Sequence, residues 1–82
     1  MNDTLRYYIA SAWLAEGDAI AAIPLLEGMV DDPSSALRAK ARWFLLLAYV
    51  RAGESAKAKA VELDTDPVYG ERVRAIKAQL ER

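Results

Sequence analysis

The sequence predicts an all-α fold, a stack of about five antiparallel helices forming one domain over residues 1–82. The main observation is an internal repeat: residues 7–18 and residues 43–54 match position by position at an offset of 36. Self-similarity at a period of about 20–50 residues is typical of stacked helical repeats. Composition agrees, since 54% of the chain is hydrophobic, much of it alanine, the strongest helix former.

Helix one is predicted from residue 3 or 4 to residue 16. Gly17 follows as the left-handed residue that lets the chain turn back, and Asp18 is predicted to cap helix two. Pro24 lies inside helix two, where it removes one backbone hydrogen bond and favours a bend. The apolar residues of helix two recur at helical spacing, and they are Ala22, Leu25, Leu26 and Met29.

Residues 31–35 form a turn cluster in which Ser35 is the predicted cap of helix three. Helix three runs to Ala52 and ends at Gly53. Its middle is apolar on all sides, which is typical of a helix wedged between neighbours. Helix four is predicted over residues 55–63 with a thin apolar face: Ala58, Val61 and Leu63.

Helix five is predicted from Pro67, which suits a first helical turn, to about residue 81. Its apolar residues match those of helix three at an offset of 32, whereas the two Asp-Pro pairs match at 34. We prefer the offset of 32, because the helical spacing of apolar residues decides which of them are buried. With this offset the second repeat is shorter than the first by about one helical turn, which is missing from helix four. The predicted units are repeat one (3–32), repeat two (35–64) and a terminal helix (67–81). The buried residues of helix five would be Tyr69, Val73, Ile76 and Leu80.

The composition argues against an enzyme. The chain has no cysteine and no histidine, so thiol chemistry, the commonest general base and the commonest metal ligand are missing. Asp31 and Asp32 lie in a predicted turn, and Glu16 and Asp18 flank another, where capping and solvation explain them. No glycine-rich phosphate loop or calcium-loop pattern occurs. We expect no catalytic residue, no metal and no cofactor.

Charge is unevenly distributed although the net charge is only −1. Residues 1–35 carry −5 and residues 36–60 carry +5, which allows head-to-tail stacking or an acidic partner for the middle segment, beside the simpler interpretation of solvated helix faces. Arg38, Lys40 and Arg42 alternate and so spread over about 200° of a helix, which does not favour nucleic acid. The longest apolar run, residues 43–50, is too short to span a bilayer. We expect a soluble, cytoplasmic chain without a signal peptide.

The repeated pattern resembles the tetratricopeptide repeat. Each unit has an aromatic near its start, a Leu-x-x-Ala-Tyr-like centre, Gly-Asp or Gly-Glu at the turn and a small residue in the second helix. The matching residues are Tyr7, Ile9, Ala10, Ala12, Trp13, Gly17, Asp18 and Ala22, then Trp43, Leu45, Ala48, Tyr49, Gly53, Glu54 and Ala58. The resemblance implies a right-handed stack of helices. The sequence pattern is also similar to that of repeat tails in bacterial regulatory or envelope-associated proteins. Leu46 departs from the pattern, which prefers a small residue there.

The resemblance implies a concave groove, lined by the first helix of each pair, that receives a peptide or a partner helix. An apolar centre with a basic rim suits a ligand with an apolar anchor and an acidic group. The implied groove residues are Tyr7, Ser11, Leu14, Lys40, Trp43, Leu47, Val50, Arg51 and Arg72, with Thr4, Ala15, Ala75 and Gln79 beside them.

Two interpretations of this surface stay open. Aromatic residues at helical spacing are more often core than binding platform, and we assign Tyr8, Trp13, Phe44 and Tyr49 to the core. The groove residues Trp43, Leu47 and Val50 cannot all be buried in a two-repeat monomer, and exposed apolar patches usually mark an interface. The function predicted is a non-catalytic protein-interaction module. The alternative is a structural domain whose groove is consumed in a homodimer.

Overall fold

The computed structural model describes residues 3–32 and 37–80 and shows them to be all-helical. No strand occurs within these ranges, so the predicted all-α class is confirmed. None of the described helices is long and apolar enough to cross a membrane. Five helices lie in the described ranges: α1 (Asp3–Ala15), α2 (Ala19–Asp31), α3 (Arg38–Arg51), α4 (Ser55–Ala60) and α5 (Gly70–Leu80).

The same turn ends the first helix of both repeats. Gly17 after α1 and Gly53 after α3 have φ values of 84° and 77°, which a residue with a side chain rarely adopts. In each turn the residue after the glycine donates its backbone N–H to the carbonyl oxygen five residues earlier, at 2.8 Å. This is the Schellman arrangement, which satisfies carbonyls left over at a helix end. The predicted ends of helices one and three are confirmed to within a residue.

The start of α2 also follows the prediction. Asp18 Oδ1 accepts the backbone N–H of Ala21 at 3.1 Å, so this side chain is the cap of the helix. Pro24 lies inside α2. On the predicted apolar face Leu25 is half-buried, and the other three residues are buried: Ala22, Leu26 and Met29.

The central helix, α3, has the largest buried set of the five. It begins at Arg38, and Ser35, the predicted cap, lies outside the described residues. The Arg38 side chain reaches back to α2, where its Nε donates to the carbonyl oxygen of Val30 at 3.1 Å. As expected of a wedged helix, α3 packs against both α2 and α4. Its buried residues are Ala41, Leu45, Leu46, Ala48 and Tyr49.

The predicted end of helix four is wrong. The helix stops at Ala60 rather than at residue 63, and Val61 is extended, with φ −66° and ψ 122°. Val61 and Leu63 are both buried while Glu62 between them is exposed. Alternate residues point to opposite sides only in an extended chain, so leaving the helix lets both apolar side chains enter the core.

Two cations of α5 hold this extended segment in place. Lys77 Nζ donates to the carbonyl oxygen of Val61 at 2.7 Å and pairs with Asp64 Oδ1 at 2.6 Å. Arg74 donates to the carbonyl oxygen of Asp64. The hydrogen bond from Lys77 is the main reason that the pKa of Asp64 lies below its ordinary value. The ion pair therefore favours the folded state above the ordinary carboxyl pKa and is lost as the pH falls through the lowered one.

The helix α5 begins at Gly70, three residues later than predicted. Pro67 lies in a turn ahead of it, and the carboxylate of Asp66 accepts the backbone N–H groups of Val68 and Tyr69 at 2.8 and 2.9 Å. Asp66 therefore acts as the cap of this turn. The offset of 32 is confirmed: Val73 is fully buried, and three half-buried residues pack on the core beside it, namely Tyr69, Ile76 and Leu80.

The core is one cluster that draws on all five helices. Its largest fully buried side chains are Leu26, Met29, Leu46 and Val73. Among the predicted core aromatics, Tyr49 is buried and Phe44 is half-buried.

Two predicted core residues are not buried. Tyr8 is 65% exposed and Trp13 is 38% exposed, so assigning them to the core was wrong. Their counterparts 36 residues later, Phe44 and Tyr49, lie on α3, which packs beneath α2. On the described chain no such helix covers the outer side of α1. Tyr8 and Trp13 therefore carry the sequence pattern of buried positions on a side of α1 that no described helix covers.

Candidate partner-binding groove

The first helices of the two repeats lie side by side. The ring of Tyr7, in the first half of α1, meets the ring of Phe44, in the middle of α3, edge to face with centroids 5.3 Å apart. Near their ends, Arg51 Nη1 donates to the carbonyl oxygen of Leu14 at 3.0 Å. The contact that comes earlier along α1 also comes earlier along α3, so the two helices run in the same direction. Residues one repeat apart thus fall on one continuous surface.

An aromatic row crosses this surface from α1 over α3 to the start of α5. It consists of Tyr7, Phe44, Trp43 and Tyr69. Trp43 stacks on Tyr69, which immediately precedes α5, with centroids 5.5 Å apart and an angle of 15° between the ring planes. Trp43, Tyr7 and Tyr69 are all half-buried, so each ring is held by a neighbour and still meets solvent.

Tyr69 was not predicted to join the groove. The helical spacing of apolar residues predicted Tyr69 on the core side of the last helix, and Tyr69 does pack against the core. The stacking on Trp43 brings residues 26 apart in sequence together, and no spacing rule links them. An aromatic residue at the start of a terminal helix is the sole signal that the sequence offered.

Two of the three cations at the rim of the predicted groove, Lys40 and Arg51, contact α1. Lys40 Nζ lies 5.3 Å from the centroid of the Tyr7 ring, a cation–π distance, and remains exposed. Arg51 donates one hydrogen bond to the carbonyl oxygen of Leu14 in the last turn of α1. A cation is favourable there because the C-terminal end of a helix carries a partial negative charge. Arg72 is exposed and lies, by helical spacing, on the flank of α5 opposite Arg74 and Lys77.

The middle of the predicted groove offers a partner less surface than its residues suggested. Leu14 is only 6% exposed, so its side chain belongs to the core and offers a partner no surface; its place in the groove was wrong. Ser11 Oγ is buried and has no hydrogen-bond partner among the described residues. Leu47 is half-buried and Val50 is 37% exposed, so the accessible apolar surface lies on α3. The smaller predicted lining residues are exposed: Thr4, Ala15, Ala75 and Gln79.

A concavity that was not predicted from the sequence opens between α2, α3 and α4 with a volume of about 570 Å³. It lies where α4 ends early and the chain becomes extended. On its wall the Tyr49 hydroxyl donates to Glu27 Oε2 at 2.6 Å, and Arg42 Nη1 donates to the carbonyl oxygen of Glu62 at 3.3 Å. Its charged groups have both signs and partly neutralise one another, so we assign no ligand to it.

The Tyr49–Glu27 hydrogen bond predicts a loss of stability in alkali. Burial is the main cause that raises the pKa of Tyr49 well above its ordinary value, and the bond to Glu27 adds to it. The folded chain thus keeps the phenol protonated where the unfolded chain ionises, so the free energy of unfolding should fall as the pH rises above about 10. At neutral pH, Tyr49→Phe should cost about 1–2 kcal/mol, because Glu27 loses its donor.

Urea unfolding of the wild type and Tyr49→Phe at several pH values would check this. The difference between the two should shrink above about pH 10. Tyr8→Phe, at an exposed tyrosine, is the matched control. A difference that stays constant from neutral to alkaline pH would contradict the role given to this hydrogen bond.

Within the described ranges no cluster of three or more acidic residues is placed to hold a metal ion. Comparisons with protein-family models, with curated proteins and with solved structures found no match to this chain. The class of the protein therefore depends on its own repeats, contacts and surface.

Proposed function

We propose that this chain is a non-catalytic protein-interaction module of the tetratricopeptide-repeat type, with its helices in a right-handed stack. Three features support the class. Two helix pairs share one turn geometry, with left-handed Gly17 and Gly53. The first helices run in the same direction and touch through Tyr7 and Phe44. A terminal helix, α5, adds a polar outer side to the end of the stack, as the caps of repeat arrays do.

The ligand that suits the groove is a peptide or partner helix with an apolar anchor beside an acidic group. The observation that carries this proposal is Trp43, half-buried, stacked on Tyr69 and next to the exposed cation Lys40 in its own helix. An aromatic side chain has few rotatable bonds, so little conformational entropy is lost when a partner binds to it. Aromatic residues also contribute much of the binding energy at protein interfaces. The neighbouring cation adds orientation and a faster association rate rather than most of the affinity.

The experiment is selection from a displayed peptide library, followed by calorimetric titration of the best peptide. We expect an aromatic or aliphatic residue next to aspartate or glutamate. Trp43→Ala should weaken binding roughly thirtyfold or more. Lys40→Ala should weaken it less, and more strongly at low salt than at high salt. Ile20→Ala, which removes an apolar side chain that is 75% exposed on α2, is the matched control and should bind normally.

Two results would contradict the groove. If Trp43→Ala unfolds the chain while Trp43→Phe retains both fold and affinity, Trp43 is chiefly a packing residue and the groove is misplaced. If no peptide is selected and Trp43→Ala dissociates a homodimer, the groove is consumed by self-association and the chain is a structural domain. Circular dichroism and sedimentation equilibrium on the same samples separate these cases.

A further inference from the structure

The stacked rings of Trp43 and Tyr69 join α3 to the start of α5. Their centroids are 5.5 Å apart, and the angle between the ring planes is 15°. The helix α5 packs on α4 and reaches the core through Val73, which is fully buried. The stack is therefore kept only while α5 stays at a fixed distance from α3, and contacts other than those of the two rings set that distance.

The segment between α4 and α5, residues 61–69, is hydrogen-bonded to α3 on one side and to α5 on the other. Arg42 of α3 donates from Nη1 to the carbonyl oxygen of Glu62 at 3.3 Å. Lys77 of α5 donates from Nζ to the carbonyl oxygen of Val61 at 2.7 Å. The contacts of this segment therefore link the position of α5 to that of α3.

The ring of Tyr69 follows the position of α5. The backbone N–H of Tyr69 donates to the carboxylate of Asp66 at 2.9 Å, and its carbonyl oxygen accepts the N–H of Val73 at 2.9 Å. Hydrogen bonds thus hold Tyr69 both to the end of the segment and to the first turn of α5. A shift of α5 away from the segment would therefore move the Tyr69 ring relative to Trp43.

Lys77 makes the most protected polar contact between α5 and the segment. Its side chain is 16% exposed, and besides the carbonyl oxygen of Val61 it binds the carboxylate of Asp64 at 2.6 Å. Arg74, which also contacts Asp64, is exposed. Water and salt screen a partly buried contact less than an exposed one. Lys77 should therefore contribute more than Arg74 to holding α5 in place.

From these contacts we infer that Lys77 is a positioning residue for the groove. By holding α5 on the segment 61–69, Lys77 keeps Tyr69 stacked on Trp43 in the orientation that a partner meets. Lys77 itself lies outside the groove, on the flank of α5 opposite Arg72. The inference rests on the proposed function, since it concerns the affinity of the same groove. It assigns part of that affinity to a residue that touches no partner.

Acrylamide quenching of Trp43 fluorescence tests the positioning without any partner. In a Trp13→Phe background, Trp43 is the only tryptophan. Lys77→Met removes the ammonium group but keeps a side chain of similar length. It should raise the quenching of Trp43 towards the value measured for Tyr69→Ala, in which the stack is absent. Lys59→Met, at an exposed lysine of α4, is the matched control and should leave the quenching unchanged.

Calorimetric titration of the peptide selected from the displayed library tests the effect on binding. Lys77→Met should weaken binding roughly five- to tenfold, as the loss of one charged hydrogen-bonding group commonly does. Lys77→Arg, which keeps a cation and its donors, should restore most of the affinity. In a Tyr69→Ala background, Lys77→Met should have little further effect, because two residues that act through one contact are not additive.

Far-ultraviolet circular dichroism checks that the variants being compared are folded. We expect Lys77→Met to fold, because Val61, Leu63 and Val73 still bury their apolar side chains. If it does not, Asp64→Asn takes its place. That variant removes the ion pair but leaves Lys77 its hydrogen bond to the carbonyl oxygen of Val61, so it should change quenching and affinity in the same direction by less.

Three results would overturn the inference. Unchanged quenching of Trp43 in Lys77→Met would show that the stack does not depend on this contact. Raised quenching with normal peptide affinity would show that the stack does not matter to the groove. An equally large loss of affinity in the Tyr69→Ala background would place the effect of Lys77 outside the stack. If no library peptide binds, the proposed function fails, while the quenching still decides whether Lys77 holds the stack.

Discussion

Leu46→Ala is expected to lower the free energy of unfolding by about 3 kcal/mol, as fully buried leucines commonly do when truncated. Leu46 is 0% exposed at the centre of α3, where α2 and α4 both pack. Removing its side chain leaves a cavity that helices on both sides would have to shift to fill. A domain of this length has a total stability of roughly 4–12 kcal/mol, so the variant should lose between about a quarter and three quarters of it.

For this substitution, the packing of the structure and the tetratricopeptide pattern predict different losses of stability. The tetratricopeptide resemblance prefers a small residue at this position, and the counterpart in the first repeat is Ala10, which is buried. On that basis alone an alanine should be harmless. Urea unfolding followed by circular dichroism, at one fixed protein concentration, decides between the two. The neighbour Leu47→Ala is the control, and since Leu47 is half-buried, its loss should be less than half as large. Equal small losses would show that the helices close around the missing side chain.

Gly70→Ala is expected to destabilise the chain by about 2 kcal/mol, although alanine is the better helix former. A Cβ atom at Gly70 would lie 2.5 Å from the carbonyl oxygen of Asp64 and 3.1 Å from its carbonyl carbon. That oxygen belongs to backbone and also accepts the hydrogen bond from Arg74. The clash therefore cannot be relieved by rotating a side chain, and α5 must move away from the extended segment that it holds.

Gly28→Ala is the matched control with the opposite sign. Gly28 lies inside α2, and a Cβ atom there would meet nothing within 4 Å. The substitution should stabilise the chain by about 0.5–1 kcal/mol, because alanine restricts the unfolded backbone. Thermal unfolding of both variants beside the wild type measures the two effects. If Gly70→Ala is as stable as Gly28→Ala, the start of α5 lies farther from the carbonyl group of Asp64 than it does in the structure.

The helix ends could be predicted because they depend on a few adjacent residues. Gly17 and Gly53 end helices through their own backbone conformation, and Asp18 caps α2 by reaching three residues ahead. The end of α4 could not be predicted in this way. Helical propensity continues past Ala60, but burial of Val61 and Leu63 on the same core requires an extended chain. Tertiary packing outweighs a weak local preference in so short a helix.

The candidate site divides in a similar way. Tyr7, Lys40 and Trp43 could be placed on one surface because a constant offset in a repeat places equivalent residues side by side. Leu14 was misplaced because the offset gives the face of a helix, and how deeply the neighbouring helices close over that face depends on their separation. Tyr69 was missed because its stacking on Trp43 follows from the path of residues 61–69 rather than from the repeat.

By itself the sequence determined the all-α class, the two matching helix pairs, their glycine turns and the apolar phase of α5. All of these depend on contacts within about one helical turn or on a repeated period. The tertiary structure decided which of the repeated aromatic residues are buried and which face solvent. Tyr8 and Phe44 occupy equivalent positions, but Phe44 lies beneath a preceding repeat and Tyr8 does not. Burial depends on what packs against a position, and this cannot be read from the position's own pattern.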